Sequence, residues 1–449
     1  MNLNRLLTER EEAGRPLGVA VIGAGKFGAM FLAQAARTTG LHVVAIVDRD
    51  VGRARETLTR IGWPEGRAGA RSLEEAARTR RTFVTDDASA AVTAAEVEVV
   101  VEATGNPAAA IDHALACIAS GKHMVNVTVE ADALVGPLLA HRFRAAGLVY
   151  SLAYGDQPAL IAEQVDWARA AGFEVVCAGK GTKYLPAYHH STPETVWGYY
   201  GMDAEAAAAG GMNPQMFNSF LDGTKSAIEM AAVANACDLV PGPDGLAFPP
   251  CGVDELPHVL RPAADGGCLP RKGTVEVVSS VERDGRPVFR DLRWGVYVVL
   301  EAPNDYVRRC FAEYGLKTDS SGRYAAMYKP YHLIGLELGI SVASAGLRRE
   351  PTGAPTGFRG DVAAVAKRDL KPGDVLDGEG GYTVYGRLAP AEASLAAGTL
   401  PIGLAHGVKL TKPVARDHAI PWSAVAIDSD TTAVRLRREM EAGFRKEQR

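Results

Sequence analysis

The run VAVIGAGKFGAM, residues 19–30, narrows the folds open to this chain more than any other feature. It places Gly23, Gly25 and Gly28 straight after an apolar strand and straight before a helix. Gly23 permits a tight turn, Gly25 lets backbone N–H groups approach a pyrophosphate, and Gly28 lets the helix lie close to the strand. The start of a helix attracts an anion, so Lys26 and Phe27 in its first turn join the glycines as cofactor-binding candidates. Asp48 ends the next apolar run, where an acid can accept from the adenosine ribose hydroxyls. Its charge favours NAD over NADP, and the neighbouring Arg49 offers a partner to a 2′-phosphate, so both cofactors stay open.

Further apolar runs at residues 97–103, 123–127 and 148–153 alternate with helical segments such as 27–39 and 108–120. Near-continuous apolar strands separated by helices predict a doubly wound parallel sheet, a Rossmann domain over 1–153. Residues 53–90 read as a surface elaboration around one strand at 83–85. VVVEATGNP places Thr104, Gly105 and Asn106 at the carboxyl end of a buried strand, with Pro107 opening a helix. Ligands of open α/β sheets bind at such strand ends, which makes these three residues cofactor candidates as well.

From 154 to 348 the texture changes to that of an α+β substrate domain, with β-branched runs at 274–280 and 295–299. Asp222 is expected to cap a helix in DGTKSAIEMAAVANA whose other positions are mostly apolar, so Thr224, Lys225 and Glu229 need partners or a wet cavity. Lys225 falls in the first turn, where the helix dipole disfavours a cation unless an anion lies nearby. GKGTKYLPAYHHSTPETVW carries Lys180, Lys183, His189 and His190, with Thr192 and Pro193 reading as a helix start. KPYHLIGLE adds Lys329 and His332. Lys225, Lys183, Glu229 and His332 are the catalytic candidates; Lys180, Thr224, His189, His190 and Lys329 are the substrate-binding ones. A Gly/Pro-rich linker is expected at 349–357 and a small β-rich domain at 358–430, with strands at 361–367 and 381–384 around a KPGD turn. The tail at 431–449 reads as a charged helix without a strong apolar face.

The net charge of −4 argues against a nucleic-acid surface. No apolar stretch reaches the length of a membrane span, and the amino terminus reads as no secretory signal. Six scattered cysteines without a CxxC pair suggest reduced thiols and a cytoplasmic location. HisHis lacks metal-ligand spacing, and the need for a divalent metal stays open. No GxSxG elbow or Walker loop appears. Hydride chemistry on a small-molecule substrate fits, and a homo-oligomer is expected.

The VVVEATGNP and GKHMVNV segments are similar to those of homoserine dehydrogenases. GKGTKYLP, HSTPETVWGYYG, DGTKSAIEMAAVANA and YKPYHLIGLELGISVASA together resemble the 1-deoxy-D-xylulose 5-phosphate reductoisomerase-like (DXR-like, DRL) oxidoreductases, which are related to homoserine dehydrogenases. The likeness extends to a carboxyl-terminal SAF domain at 358–430. It implies NADPH and a phosphorylated sugar substrate, 1-deoxy-D-xylulose 5-phosphate, converted to 2-C-methyl-D-erythritol 4-phosphate for isoprenoid synthesis. Homoserine dehydrogenases place a catalytic lysine shortly after the GKHVV run; here the chain reads Asn126-Val-Thr-Val-Glu-Ala-Asp132 without one. Rival readings are a dehydrogenase of another hydroxy acid, polyol or amino-acid-derived aldehyde, and a non-catalytic dinucleotide or sugar sensor. The lysines and histidines of the substrate segments favour an enzyme over a sensor.

Overall fold

The computed structural model describes residues 2–209 and 211–447. Two compact units emerge, one built from the chain up to Leu160 together with His332–Thr356, the other from Ile161–Tyr331 together with Gly357–Arg449.

The first unit contains a parallel sheet of β1 (Leu17–Ile22), β2 (Leu41–Val47), β3 (Phe83–Thr85), β4 (Val99–Glu102), β5 (His123–Asn126) and β6 (Tyr150–Leu152). Their order is β3-β2-β1-β4-β5-β6, so the winding reverses between β1 and β4. That reversal opens a crevice at the carboxyl ends of these two strands, the usual ligand position in such sheets. Every residue of β1 and β2 is buried, as apolar strands covered by helices on both faces must be.

The domain borders differ from those expected. Residues 332–356 close the Rossmann unit rather than the substrate domain, because Leu338, Val342, Ala343 and Ala345 belong to the core that β1, β2 and β4 share. Hydrogen bonds fix this return segment. The Tyr154 N–H donates to Ser341 Oγ (2.7 Å), and the Leu152 N–H donates to Gly353 O (2.8 Å). Thr352 Oγ1 lies 3.1 Å from Ser151 Oγ and 2.6 Å from Ser341 Oγ. The stretch read as a linker is therefore largely tied to the edge strand β6. At its start, Gly335 crosses the glycine-turn helix Lys26–Ala35 so closely that a Cβ there would lie 2.7 Å from Met30 Cβ and 2.8 Å from Phe27 O.

In the second unit, β7 (Glu174–Thr182), β8 (Val240–Pro241), β9 (Thr274–Ser279), β10 (Val296–Glu301) and β11 (Tyr324–Lys329) form a mixed sheet in the order β11-β10-β7-β9-β8. β12 (Gly360–Ala366) pairs with β14 (Val384–Pro390), while β13 (Val375–Asp377), β15 (His406–Leu410) and β16 (Val425–Ala426) make a small antiparallel sheet. The β12/β14 ribbon lies directly on the helix Thr224–Cys237: a Cβ on Gly360 would meet Ala234 Cβ at 3.1 Å. The β-rich segment and the substrate segment thus form one compact body. Residues 381–383 are not a strand, because Asp377 folds them into a turn by accepting from the Tyr382 and Thr383 N–H groups.

Two other expectations fail locally. The helix expected at Thr192–Pro193 begins only at Val196, since Thr192 and Thr195 hydrogen-bond each other in a turn. The carboxyl-terminal helix Thr432–Glu447 does have a buried face, carrying Val434, Leu436, Met440 and the fully enclosed Arg437. Arg437 grips Asp361 with both terminal nitrogens (2.9 and 2.6 Å) and donates to Glu441 through Nε (2.9 Å). Among the described residues no helix is long and apolar enough to cross a membrane.

Candidate active site

The glycine turn is built as its spacing demands. Gly23 sits at φ +102, and a Cβ there would press to 2.5 Å on Ala103 O; one on Gly28 would come within 2.0 Å of Gly23 O. Gly25 is different: its φ of −68 is ordinary, and a Cβ would meet nothing within 4 Å. Gly25 is also the N-cap and offers no side chain to the helix Lys26–Ala35. The helices that start at Val51, Leu73, Ala88 and Pro107 are each capped by a side chain, from Asp50, Ser72, Asp87 and Asn106. The first-turn N–H groups around Lys26, Phe27 and Gly28 are therefore left uncapped beside an open space, which fits a dinucleotide pyrophosphate.

Asp48 is placed otherwise than expected. Its side chain turns inward: Oδ2 accepts from the Ala24 N–H (3.0 Å), and Oδ1 accepts from the Asp50 N–H (3.0 Å) and from Arg53 Nη2 (3.0 Å). Burial pushes its carboxyl up, but these backbone donors and Arg53 outweigh burial and hold it below the usual carboxylate range. The carboxylate thus braces the glycine turn instead of standing free for a ribose. What faces outward is cationic, namely the exposed Arg49 and the Arg53 guanidinium, which is 62% exposed. Arg53 was missed because nothing in its spacing ties it to Asp48.

This changes the expected effect of Asp48→Ala. Loss of the brace frees two backbone donors, so NADH and NADPH should both bind more weakly, by roughly tenfold, the scale of a lost hydrogen bond to a charged group. The ratio of the two Kd values, read by calorimetry, should stay within about threefold. A selective gain for NADPH would instead put the carboxylate at the ribose.

The Thr104–Asn106 loop is also internally satisfied. Glu102, fully buried at the end of β4, accepts from the hydroxyls of Thr104 and Thr128 and from the Thr104 N–H (3.3 Å). Thr128 Oγ1 in turn accepts from the Gly105 N–H (3.0 Å), and Thr104 Oγ1 accepts from the Asn106 N–H (3.2 Å). Asn106 Oδ1 caps the following helix at the Ala109 N–H (3.0 Å). The three backbone N–H groups of the loop are thus spent internally and are not left over for a phosphate. His113 Nδ1 stands 3.4 Å from Glu102. The Asn126–Thr128 turn, which lacks a lysine, is thereby welded to the Thr104 loop through Glu102. Behind it lies Asp132, fully enclosed; burial pushes its carboxyl up to about 7, partly offset by the Tyr150 hydroxyl.

In the second unit the helix Thr224–Cys237 brings several candidates together. Lys180, from β7, forms a buried ion pair with Glu229. Lys225 lies one turn before Glu229 on the same helix and is half-buried. Thr224 is fully buried and its Oγ1 accepts from the Gly386 N–H (2.8 Å), which makes it a brace for β14 instead of a substrate contact. Asp222 folds back on the Thr224 N–H (2.9 Å) and pairs with Lys367 (2.7 Å), while Gly223 at φ +89 takes the N-cap position. Lys367, from the end of β12, also donates to Ser191 O (2.8 Å) and Gly381 O (2.7 Å). No sequence signal marked it, because its partners lie far along the chain.

His189 joins this cluster. Its Nδ1 lies 2.7 Å from Asp222 O, a pure acceptor, so Nδ1 carries the proton and Nε2 accepts from the Tyr184 hydroxyl (2.9 Å). Burial lowers its pKa, against the pull of Asp222, so the ring stays neutral and is stacked on Tyr385 at 4.6 Å. Lys183 sits beyond β7, donates to Tyr199 O (2.5 Å), and has its pKa lowered by burial and by Arg293. His190 stands apart in a surface cluster with Asp417 (2.6 Å) and Arg416 (2.8 Å). Lys329 ends β11 with its ammonium 5.4 Å from the Tyr331 ring centre. His332 belongs to the Rossmann unit, with Nε2 3.2 Å from Gln157 Nε2. Among the described residues, no group of three or more His, Cys, Asp or Glu is placed to hold a metal ion.

Comparison with known proteins adds the family. Residues 155–338 match the model of the oxidoreductase DRL catalytic domain, and residues 18–148 match the homoserine dehydrogenase NAD-binding domain. Among curated proteins, none matches the chain. Similar solved structures include a probable dehydrogenase from Thermotoga maritima, 13% identical over 75% of this chain and 90% of that one, with a TM-score of 0.38. A myo-inositol dehydrogenase from Lactobacillus casei, in complex with NAD(H) and myo-inositol, is 17% identical over 40% of this chain and 50% of its own, with a TM-score of 0.29. Biliverdin reductase from Synechocystis sp. PCC 6803, with biliverdin and NADP+, is 15% identical over 38% and 48%, with a TM-score of 0.27. The matched region spans about half the length of the latter two chains. The chain thus carries an NAD-binding domain of the homoserine dehydrogenase kind followed by a DRL catalytic domain.

Proposed function

We propose that the protein reduces the carbonyl of a small, phosphorylated, polar substrate with NADPH, and that 1-deoxy-D-xylulose 5-phosphate is that substrate. The observation that carries this reading is the buried Lys180–Glu229 pair, set one helical turn from the half-buried Lys225 in an otherwise apolar helix. Charges withdrawn from water at such a cost are retained where they act on a ligand or fix a neighbour. When bound, the nicotinamide supplies the hydride. Glu229 holds the Lys180 ammonium in place, a cation suited to polarising a carbonyl and stabilising the oxyanion that develops on it. Lys225 and Lys183 supply the charge that a substrate phosphate requires. The outward Arg49 and Arg53 support NADPH, because a guanidinium takes a 2′-phosphate and Asp48 is already neutralised by its partners. On this reading, 358–430 acts as a SAF-like domain whose Lys367 fixes the start of the substrate helix.

The test is NADPH consumption with 1-deoxy-D-xylulose 5-phosphate, with fosmidomycin competing against the substrate. Lys225→Ala should lower kcat/KM by roughly 2–4 kcal/mol and leave NADPH affinity unchanged. No turnover by folded, cofactor-binding protein would overturn the assignment. Turnover of an amino-acid-derived aldehyde instead would favour the second reading, which the homoserine dehydrogenase match supports.

A further inference from the structure

A cavity of about 240 Å³ opens at the amino-terminal ends of β1 and β2, lined by Arg37, Arg67, Arg80, His42, Glu11 and Gly40 among others. β2 spans Leu41–Val47, and at about 3.3 Å per residue its two ends lie roughly 20 Å apart. The cavity is therefore remote from Asp48 and the glycine turn at the carboxyl ends. Three arginines from three separate stretches face one glutamate, in a chain whose net charge is −4.

The partners of these groups are unequal. Arg80 pairs with Glu11 at 2.5 Å, and Arg67 spends one nitrogen on Ala36 O (3.0 Å), leaving its other donors for a ligand. Arg37 is exposed, and its side chain makes no hydrogen bond or ion pair among the described residues. His42, 8% exposed, has Nε2 at 2.8 Å from Arg81 O, so Nε2 donates; burial lowers its pKa, and Arg67 and Arg80 add to that. It is a neutral wall, not a further charge. The floor is firm: Gly40, at φ +75, lies so close to Leu7 that a Cβ would reach 1.9 Å from its carbonyl oxygen. A fold gains nothing by gathering more guanidinium charge than it neutralises, whereas a dianion with several acceptor oxygens would satisfy it.

We propose that this cavity binds the phosphate group of a small phosphorylated metabolite, at a second site on the opposite edge of the sheet from the dinucleotide. Its volume suits a phosphate with a short carbon chain and is below the usual range for drug-sized ligands. A phosphate dianion offers two guanidinium forks three terminal oxygens and two charges, where a monocarboxylate offers two oxygens and one charge.

Inorganic phosphate titrated into protein saturated with NADPH, at constant ionic strength, tests this by calorimetry, since the cofactor then occupies its own phosphate sites. The expected result is saturable binding, weakened at least tenfold by Arg37→Glu and unchanged by Arg71→Glu, an exposed arginine outside the cavity. Arg37→Glu should melt with the wild type, because Arg37 holds nothing in the fold. Absence of saturable phosphate binding, or an Arg37→Glu titration matching the wild type, overturns the site. Acetate binding as tightly as phosphate overturns the phosphate class.

Discussion

A Gly25→Val protein is expected to fold, melt near the wild-type temperature and bind no dinucleotide. The three glycines of the turn look alike in sequence but differ physically. At Gly23 and Gly28 a side chain collides with backbone, at 2.5 and 2.0 Å, so substitutions there report on folding. Gly25 has an ordinary φ and open space where its Cβ would stand. A valine there fills the space that a pyrophosphate needs and blocks the uncapped N–H groups of the following helix. Affinity for NADH and NADPH should fall by roughly a hundredfold or more, equivalent to about 3 kcal/mol. Unchanged Kd values with an unchanged melting curve would remove the pyrophosphate from this turn.

The second large effect is expected in stability. Arg437→Ala removes the single guanidinium that joins Asp361 to Glu441, and all three side chains are buried. Asp361 would keep donors from the Val362 N–H (3.0 Å) and Ser394 Oγ (2.6 Å), yet its charge would lose its counterion in a dry site. Breaking a buried pair from one side costs about 3–5 kcal/mol. Denaturant unfolding of the full chain should show that loss, whereas Arg437→Met with Asp361→Leu should recover most of it, because Asp361 is then gone and Glu441 keeps Arg438 at 2.8 Å. A loss below about 1 kcal/mol for Arg437→Ala would mean that water reaches the pair.

What could be read from the sequence follows from how local each signal is. The β1 run, the three glycines and the helix after them are neighbours in the chain, so the tight turn at Gly23 and the close approach at Gly28 were legible. Asp48 shows where that reading stops. Its position at the end of β2 was correct, but its direction depends on the Ala24 and Asp50 N–H groups and on Arg53, which no residue type announces. Lys180 and Glu229 were both singled out as polar groups in apolar surroundings, and they prove to be each other's partners. Thr224 carried the same signal and satisfies a glycine N–H instead. Lys367 and Arg437 stayed hidden, because the carboxylates that justify them lie far away in sequence. The return of residues 332–356 to the first unit stayed hidden for a related reason: Ser341 and Thr352 bind β6 through hydroxyls and backbone, contacts without periodicity.

The return of residues 332–356 to the Rossmann unit has a consequence for biogenesis. Leu338, Val342, Ala343 and Ala345 complete a core whose strands leave the ribosome first. At roughly 5–20 residues per second, translation needs on the order of 10–40 s to pass from Leu160 to Thr356. Through that interval the nascent sheet lacks part of its core, and the substrate segment in turn waits for β12 and β14 to cover its helix Thr224–Cys237. The first unit is thus sealed late, yet still ahead of the second, whose remaining strands and last helix are made after it.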